Sequence, residues 1–525
     1  MKFRGAKNMH NNFGEFFNDL ATRKGGNTAF IIKNKKGGKV AYTNITYKKL
    51  EEDIKAFASA LINRGLKGKR VAHIGKNCYE WFITMAGTIY AGASSVPLDR
   101  GLTEAEILDQ TGRINADAFV FGADYKETAE KMNTLKICFE PCEEYETVAD
   151  LINEGYEKGL SEDNCVSGDD VSFYLFTSGT TSKSKIVMLS QKNILSNIYD
   201  MQQVEDLRES DVNLALLPMH HTFGLVGTLM FLSLGATNVF CEGLRVQKAL
   251  CEYKVSVLVG VPLILDSMKR LTEKTIKKDK LTFAFALLNV AYKVTRFLGL
   301  DLRRKIYKPL LDKFGGNLRL IISGAAPLSP ETAMFFENKG IEVIQGYGLT
   351  ETSPVIAAES YKYKKLGSVG KAMPSDDVKI VNIGEDGTGE IAVKGPNVML
   401  GYYENEEMTA SVMKDGYLFI TGRIKNVIVL ENGKKVYPEE VEFHIEKLEY
   451  VKEVMVFNKK EGKKDCVKAT VVVDTEIMSV EEAKTLFEKD IKKINKQLAK
   501  YKQVQDYEVT DVEFDKTTTG KIKRH

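Results

Sequence analysis

Hydrophobic and polar positions along the chain follow two alternating patterns. Short runs, apolar at nearly every position and rich in β-branched or aromatic residues, recur at 70–75 (RVAHIG), 118–122 (AFVFG), 171–176, 212–218 (VNLALLP), 256–262 (SVLVGVP) and 318–324 (LRLIISG). Helix-like segments separate them. Continuous apolar strands alternating with helices predict parallel sheets covered on both faces. One helix start is legible at Ser329-Pro330-Glu331, with serine as N-cap and proline in the first turn; its predicted end is Gly340.

The texture changes after about residue 365. The segment DVKIVNIGEDGTGEIAVKG predicts a hairpin around Glu385-Asp386-Gly387, within a β-rich subdomain of about 365–423. After Arg423 a compact α+β unit is expected. Pro438 opens a helix there, 454–457 (VMVF) and 467–473 (VKATVVV) read as strands, and Ser479 with Glu482 forms a capping box for a long helix. The longest apolar segment is 281–300, LTFAFALLNVAYKVTRFLGL. Asn289, Lys293 and Arg296 interrupt it, so it makes a poor membrane span. It reads as either a buried helix or a helix lying on a membrane surface.

Composition narrows the function classes. At 525 residues the chain is too long for one core, so two or more domains are expected. The balance of 74 basic against 71 acidic residues, net +3, argues against a dedicated nucleic-acid binder. The basic runs Lys277–Lys280 and Lys521–Arg524 read as solvated faces or ends. Seven scattered cysteines include the close pair Cys138 and Cys142, but no second pair at zinc spacing. Free thiols in a reducing, cytoplasmic compartment are the expectation. The first residues, MKFRGAKNMHNNFGEFF, lack the apolar stretch of a signal peptide.

The chemistry concentrates first at FTSGTTSKSKIVMLS, residues 176–190. Hydroxyls, one glycine and two lysines follow an apolar strand. In a strand–loop–helix setting, successive amides and hydroxyls solvate phosphate oxygens and lysine adds charge. The Walker pattern is absent, because Gly179 is the loop's only glycine. By itself the loop reads equally as a phosphate cradle or as an ordinary polar turn.

Further segments give it a context. SGTTSKSKI resembles the phosphate-binding signature of the AMP-forming adenylating superfamily, whose usual form is SGTTGxPKG and which includes acyl-CoA synthetases, luciferases and peptide-synthetase adenylation domains. In family order follow LPMHHTFG (217–224), GVP (260–262), SGAAPLS (323–329), QGYGLTETSP (345–354), GSVGKAMP (367–374), GEIAVKGPNVMLGYY (389–403), GRIKNVIVLENGKKVYPEEVE (422–442) and TTTGKIKR (517–524). QGYGLTETSP is the most specific of these. Residues 422–442 most resemble long-chain fatty acid–CoA ligases.

The resemblance implies an α/β fold. Two sheet-and-helix subdomains and a small distorted β-barrel subdomain (about 365–423) would form an N-terminal AMP- and acyl-binding domain, residues 1–423. A small mobile α+β lid, 424–525, would follow. It implies a two-step reaction. A carboxylate attacks the α-phosphate of ATP, releasing pyrophosphate, and a thiol, usually coenzyme A, then attacks the acyl-adenylate. Because two anions must meet, positioning and charge neutralisation dominate such catalysis.

Under the resemblance, Thr177, Ser178, Gly179, Thr180, Thr181 and Lys185 hold the β- and γ-phosphates. Thr350 hydrogen-bonds the α-phosphate and Glu351 holds Mg²⁺, an ion suited by carboxylate and phosphate oxygens. Gly324, Ala325 and Ala326, with Gly346, Tyr347 and Gly348, line the nucleotide site, Tyr347 offering its ring to adenine. His221 lies at the acyl-carboxylate end, or is a structural histidine. The His220-His221 pair suggests metal, but His10, His73, His444 and His525 complete no ligand pattern with it. Arg423 contacts ribose or phosphate, Lys425 is the hinge, and Lys521 is the adenylation lysine, unless the end of the chain is simply a basic tail.

Three departures stand out. Ser182, Ser184 and Ile186 replace the usual Gly, Pro and Gly, with Ile186 implying tighter packing under the loop. The family's TGD block before GYL.I.GR is missing: KDGYLFITGR (414–423) runs straight to the arginine, so the ribose-binding aspartate has no counterpart, Asp415 standing in another context. The chain ends four residues after Lys521, which argues against a multi-module peptide synthetase. The expected function is therefore ATP- and Mg²⁺-dependent conversion of a hydrophobic carboxylate, a fatty acid, to its coenzyme A thioester. The alternatives are transfer to a carrier protein's phosphopantetheine thiol, or a weakened nucleotide-binding homologue. No nucleic-acid partner and at most peripheral membrane association are expected.

Overall fold

The computed structural model describes residues 9–525, apart from 37–38, 143, 161–166, 178–183, 242–245, 279–286, 289, 293–294, 296, 385–388, 421–427, 430–434, 437, 462–463, 499, 517–521 and 523–525. The chain divides into two compact units, the second made mainly of residues 420–525.

Two mixed sheets dominate the first unit. The larger has nine strands. Its parallel heart runs, in spatial order, Glu342–Gly348, Leu320–Ser323, Val257–Gly260, Val212–Ala215, Thr237–Phe240 and Thr28–Lys36. Antiparallel strands finish both edges: Lys39–Thr46 on one side, Val355–Ala358 and Lys371–Ala372 on the other. The second sheet has seven strands, in the order Gly401–Tyr402, Lys185–Ser190, Val171–Thr177, Ser94–Pro97, Arg70–Ile74, Ala118–Phe121, Leu135–Cys138. Its last five strands are parallel and its first two antiparallel. The continuously apolar runs are the buried parallel strands, as their composition predicts. All four residues of Ala118–Phe121 are fully enclosed.

One helix, Gln191–Val204, ties these layers together. Ser190 caps it, its hydroxyl accepting from the Asn193 amide while the Asn193 side chain accepts from the Ser190 amide. Two buried asparagines on the helix then reach outward. Asn193 Nδ2 donates to the carbonyls of Pro396 (2.7 Å) and Val398 (2.9 Å). Asn197 exchanges bonds with both backbone groups of Val355, 2.7 and 3.2 Å. A buried peptide edge left without such partners costs about 1–3 kcal/mol per group, so these amides fix where the 396–402 segment lies.

The β-rich subdomain is a four-stranded sheet in the order Asp377–Val381, Glu390–Lys394, Tyr417–Ile420, Met413–Lys414. No closed barrel is found among the described residues. Asp415 and Gly416, both at positive φ (53° and 77°), make the two-residue turn between its last strands, the conformation that Asp-Gly favours. The hairpin tip expected at Glu385-Asp386-Gly387 lies outside the described residues. Beneath the sheet, Asp376 accepts from Asn397 at 2.9 Å while its Oδ1 is buried without a partner. Burial pushes the Asp376 carboxyl up to about 7, against the Asn397 hydrogen bond, and the Asp200 charge adds to the rise. Folding therefore favours the protonated acid, and stability falls as pH rises from about 4 towards 7. Asp376→Asn is expected to raise Tm at pH 8 by about 1–3 °C and to flatten that part of the pH–Tm curve, measured by scanning calorimetry.

The second unit packs a three-stranded sheet, Val451–Glu461, Lys464–Val473 and Asp506–Thr510, against helices Pro438–Ile445 and Val480–Gln497. The Ser479–Glu482 capping box is formed as expected.

Several expectations need correction. Ser329 is the N-cap of helix Pro330–Glu337, but its side chain makes no capping bond; Gly340, at φ 82°, closes the helix as expected, its amide donating to the Glu337 carbonyl and the Ile341 amide to that of Phe336. Segment 281–300 is not the buried helix of the first alternative: where it is described, Tyr292 is buried, but Leu287, Val290 and Leu300 are exposed and Phe297 is 91% exposed. Among the described residues no helix is long and apolar enough to cross a membrane.

Candidate active site

Four of the singled-out segments sit at the carboxyl ends of adjacent parallel strands. Residues 217–224 follow Val212–Ala215, 260–262 end Val257–Gly260, 323–329 end Leu320–Ser323, and 345–354 end Glu342–Gly348. In open α/β sheets this is where ligands bind, because helix starts and free strand ends converge there.

Glycine lets the segments touch. A Cβ on Gly324 would stand 3.0 Å from the Phe223 ring and 3.5 Å from the Gly346 carbonyl, and the Gly324 amide donates to the Gly260 carbonyl at 3.4 Å. Gly324 is thus buried between the other motifs, while Ala325 and Ala326 are exposed, Ala325 at φ 68°. A Cβ on Gly348 would lie 1.7 Å from the Pro354 carbonyl oxygen. That clash explains why the strand Glu342–Gly348 ends on glycine, where the chain reverses. Tyr347 and Gly346 are half-buried and pair with Ala357 and Ala358.

The reversal is a 3₁₀ turn, Thr350–Thr352. Thr352, fully buried, is bonded to the backbone of Leu349 and Pro354, which leaves Thr350 and Glu351 half-buried on the outer side. The Glu351 carbonyl accepts from the Met399 amide at 2.8 Å. Its carboxylate Oε1 accepts from the Tyr402 hydroxyl at 2.9 Å.

Tyr402 connects this turn to the hydroxyl-rich loop. Its strand pairs with Lys185–Ser190, Tyr402 opposite Val187, and the Lys185 Nζ lies 4.8 Å from the Tyr402 ring centroid. Cation–π attraction and a phenol–carboxylate bond thus chain Lys185, Tyr402 and Glu351 together. Burial, then the Glu351 charge, pushes the Tyr402 hydroxyl well up, so it stays a donor at any working pH. Tyr402 lies in the GYY of segment 389–403, where nothing local marks it; only the fold sets it beside Lys185 and Glu351.

The loop's setting is a hairpin, not the expected strand–loop–helix. Strand Val171–Thr177 runs antiparallel to Lys185–Ser190, with Thr177 opposite Lys185. The apolar run after the loop pairs as a strand because Ile186, Val187 and Leu189 are buried in the sheet. Ile186 joins the core beneath, as its replacement of glycine implied. Arg113 steadies the loop's end, donating to the Ser184 carbonyl (2.7 Å) and hydroxyl (3.2 Å). Ser178, Gly179, Thr180 and Thr181 lie outside the described residues, as do Arg423, Lys425 and Lys521.

His221 is the half-buried N-cap residue of helix Thr222–Ser233. Asn77, from the loop after strand Arg70–Ile74, holds the approach to it: its amide donates to the Leu217 carbonyl (2.7 Å) and accepts from the Met219 backbone N–H (3.1 Å). Asn77 had no motif to mark it. Nearby His73 is fully enclosed, and burial, then His220, pulls its imidazole down to about 3, so it is a neutral packing residue.

An acid does stand next to Tyr417, where the ribose-binding block is missing. The Tyr417 hydroxyl bonds Asp377, and Lys379 bonds that same hydroxyl. Asp415 is exposed in its hairpin turn.

The family model described as AMP-binding enzyme matches residues 17–403, and the model described as AMP-binding enzyme C-terminal domain matches residues 425–525. A curated relative, fatty acyl-CoA synthetase B of Dictyostelium discoideum, is 27% identical over 88% of this chain and 77% of its own. A chloroplastic long-chain-fatty-acid–[acyl-carrier-protein] ligase of Arabidopsis thaliana is 25% identical over 76% of this chain and 68% of its own. Among solved structures, ATP-bound MatB from Rhodopseudomonas palustris superimposes with a TM-score of 0.74 at 25% identity, covering 98% of this chain and 97% of that one.

Proposed function

The chain belongs to the AMP-binding enzyme family, and from that premise we propose that it joins a fatty acid to ATP as an acyl-adenylate and passes the acyl group to coenzyme A. The observation that carries this reading is the chain Lys185–Tyr402–Glu351 set beside Thr177 and Thr350. It supplies a cation, three hydroxyls and a carboxylate from neighbouring strand ends.

In this reading the backbone and hydroxyls of 177–181 and the Lys185 ammonium neutralise the β- and γ-phosphates, easing departure of pyrophosphate. Thr350 donates to the α-phosphate. Glu351 fits magnesium, which takes one or two carboxylates, keeps waters and shares phosphate oxygens. The ion would supply charge neutralisation at the phosphates. Tyr402 occupies one oxygen of the carboxylate and so sets its orientation. Tyr347 offers a face to adenine beside Gly324–Ala326 and Gly346–Gly348. His221 orients the acyl carboxylate, whose oxygen attacks the α-phosphorus. Arg423 binds ribose or phosphate. Lys521 stabilises the charge developing between carboxylate and α-phosphate, and the unit beyond Lys425 turns so that the thiol enters after the adenylate forms.

The fatty-acid assignment draws on the names of the curated relatives. The relative that acylates a carrier protein supports a second acceptor, since both carry the same phosphopantetheine thiol. The test is carboxylate-dependent ATP–pyrophosphate exchange across a panel of fatty and aromatic acids, then thioester formation with coenzyme A and with loaded carrier protein. Exchange is expected with fatty acids and thioester with coenzyme A. Absence of exchange at millimolar ATP with every acid would remove the enzymatic reading and leave the nucleotide-binding homologue.

A further inference from the structure

Beside the proposed acyl end, the two large sheets contribute three metal-ligating side chains to one spot. Asp99 follows strand Ser94–Pro97 of the seven-stranded sheet, and His220 and His221 follow Val212–Ala215 of the nine-stranded one. One ligand atom from each lies within 4.8 Å of the others. The adjacent histidines alone gave no ligand set; the aspartate, over a hundred positions away, supplies the third member.

Three features separate this cluster from a chance grouping. First, His220 is more than nine-tenths buried, and its Nε2 has no hydrogen-bond partner. An enclosed imidazole nitrogen without a partner is costly unless something ligates it. Second, that Nε2 is 3.5 Å from Asp99 Oδ1. This is long for a hydrogen bond, but two donors bound to one tetrahedral zinc at about 2.0–2.1 Å stand roughly 3.3–3.4 Å apart. Third, neighbouring bonds hold the ligands in place. Asp99 Oδ1 accepts from the Gly101 amide at 2.8 Å, Asn77 fixes the backbone at Met219, and the two imidazole rings lie 4.2 Å apart at 50°.

We propose that Asp99, His220 and His221 form a binding site for one divalent transition ion of the zinc class, separate from the magnesium site at Glu351. Two imidazoles and one carboxylate suit zinc, iron(II), cobalt(II) or nickel(II). They do not suit magnesium, which demands oxygen ligands in octahedral array. Three protein ligands leave a coordination position open, so the ion exchanges and can take a further ligand. Binding does not depend on the activity proposed above.

The test uses the full chain, stripped with chelator, kept reduced with a phosphine, and titrated with Zn²⁺ or Co²⁺ alone. The expected results are one retained equivalent of zinc after gel filtration, and a cobalt complex with visible d–d bands but no thiolate charge-transfer band. The second result matters because the six described cysteines form no disulfide and their thiols compete as ligands. Millimolar Mg²⁺ is expected not to displace either ion. Asp99→Asn and His220→Asn are each expected to weaken zinc binding by about 100-fold, the upper end of what loss of even an outer-sphere partner costs. The cobalt spectrum of the unsubstituted chain reports the ligand set even where a variant does not fold. No stoichiometric binding, a thiolate band, or unchanged affinity in both folded variants would overturn the site.

Discussion

Glu351→Gln is expected to lower carboxylate-dependent ATP–pyrophosphate exchange by about 100- to 1000-fold, the range seen when one preorganised electrostatic contact to a reacting centre is lost. Glutamine keeps the side chain's size, and its amide oxygen still accepts from the Tyr402 hydroxyl, which now sits 2.9 Å from Glu351 Oε1. The backbone bond from Met399 is untouched. What disappears is the charge, so the substitution isolates the carboxylate's share in holding magnesium against the phosphates. Raising Mg²⁺ is expected to restore part of the rate. Tyr402→Phe makes the complementary change, keeping the charge and removing the bond that aims it. Its expected loss is about tenfold, the scale of one hydrogen bond to a charged group. An exchange rate in Glu351→Gln equal to that of the unsubstituted chain would exclude Glu351 as the metal-binding acid.

Lys521→Ala is expected to lower the exchange rate by about 1000-fold or more, while thioester formation from chemically prepared acyl-adenylate stays near its original rate. The reasoning is differential. An ammonium that meets the α-phosphate and the attacking carboxylate acts only where charge builds up in the first transition state. The second step attacks an acyl carbon whose activation is already complete, so that ammonium is not required. Rapid quench of each half-reaction separates the two. Equal loss in both would mark Lys521 as structural, and no loss in either would make the end of the chain a solvated basic tail.

The two proposed sites differ in how far the sequence announced them. Thr350 and Glu351 stood in a recognisable phrase, and the glycines beside them carry a readable physical reason: Gly348 leaves no space for a Cβ against Pro354. Tyr402 lay in a quoted segment, yet nothing local linked it to Glu351, 51 positions earlier. Asn77, Asn193 and Asn197 left no trace at all. Each is a polar residue in a helix or loop, and only the folded chain reveals that it satisfies backbone groups up to 205 positions away. Asp99 belongs to the same class, since its meeting with His220 depends on where two different sheets end.

By itself, the sequence determined the α/β class, the continuously buried parallel strands, the capping box at Ser479 and the family. Those features depend on local pattern: unbroken apolar runs are enclosed on both faces, and caps and motifs span few residues. Only the tertiary structure decided that the hydroxyl-rich loop joins two antiparallel strands, that Tyr402 bridges Lys185 to Glu351, and that Asp99 meets the paired histidines. The physical reason is that strand pairing and side-chain convergence are set by contacts between distant segments, which leave no periodicity along the chain.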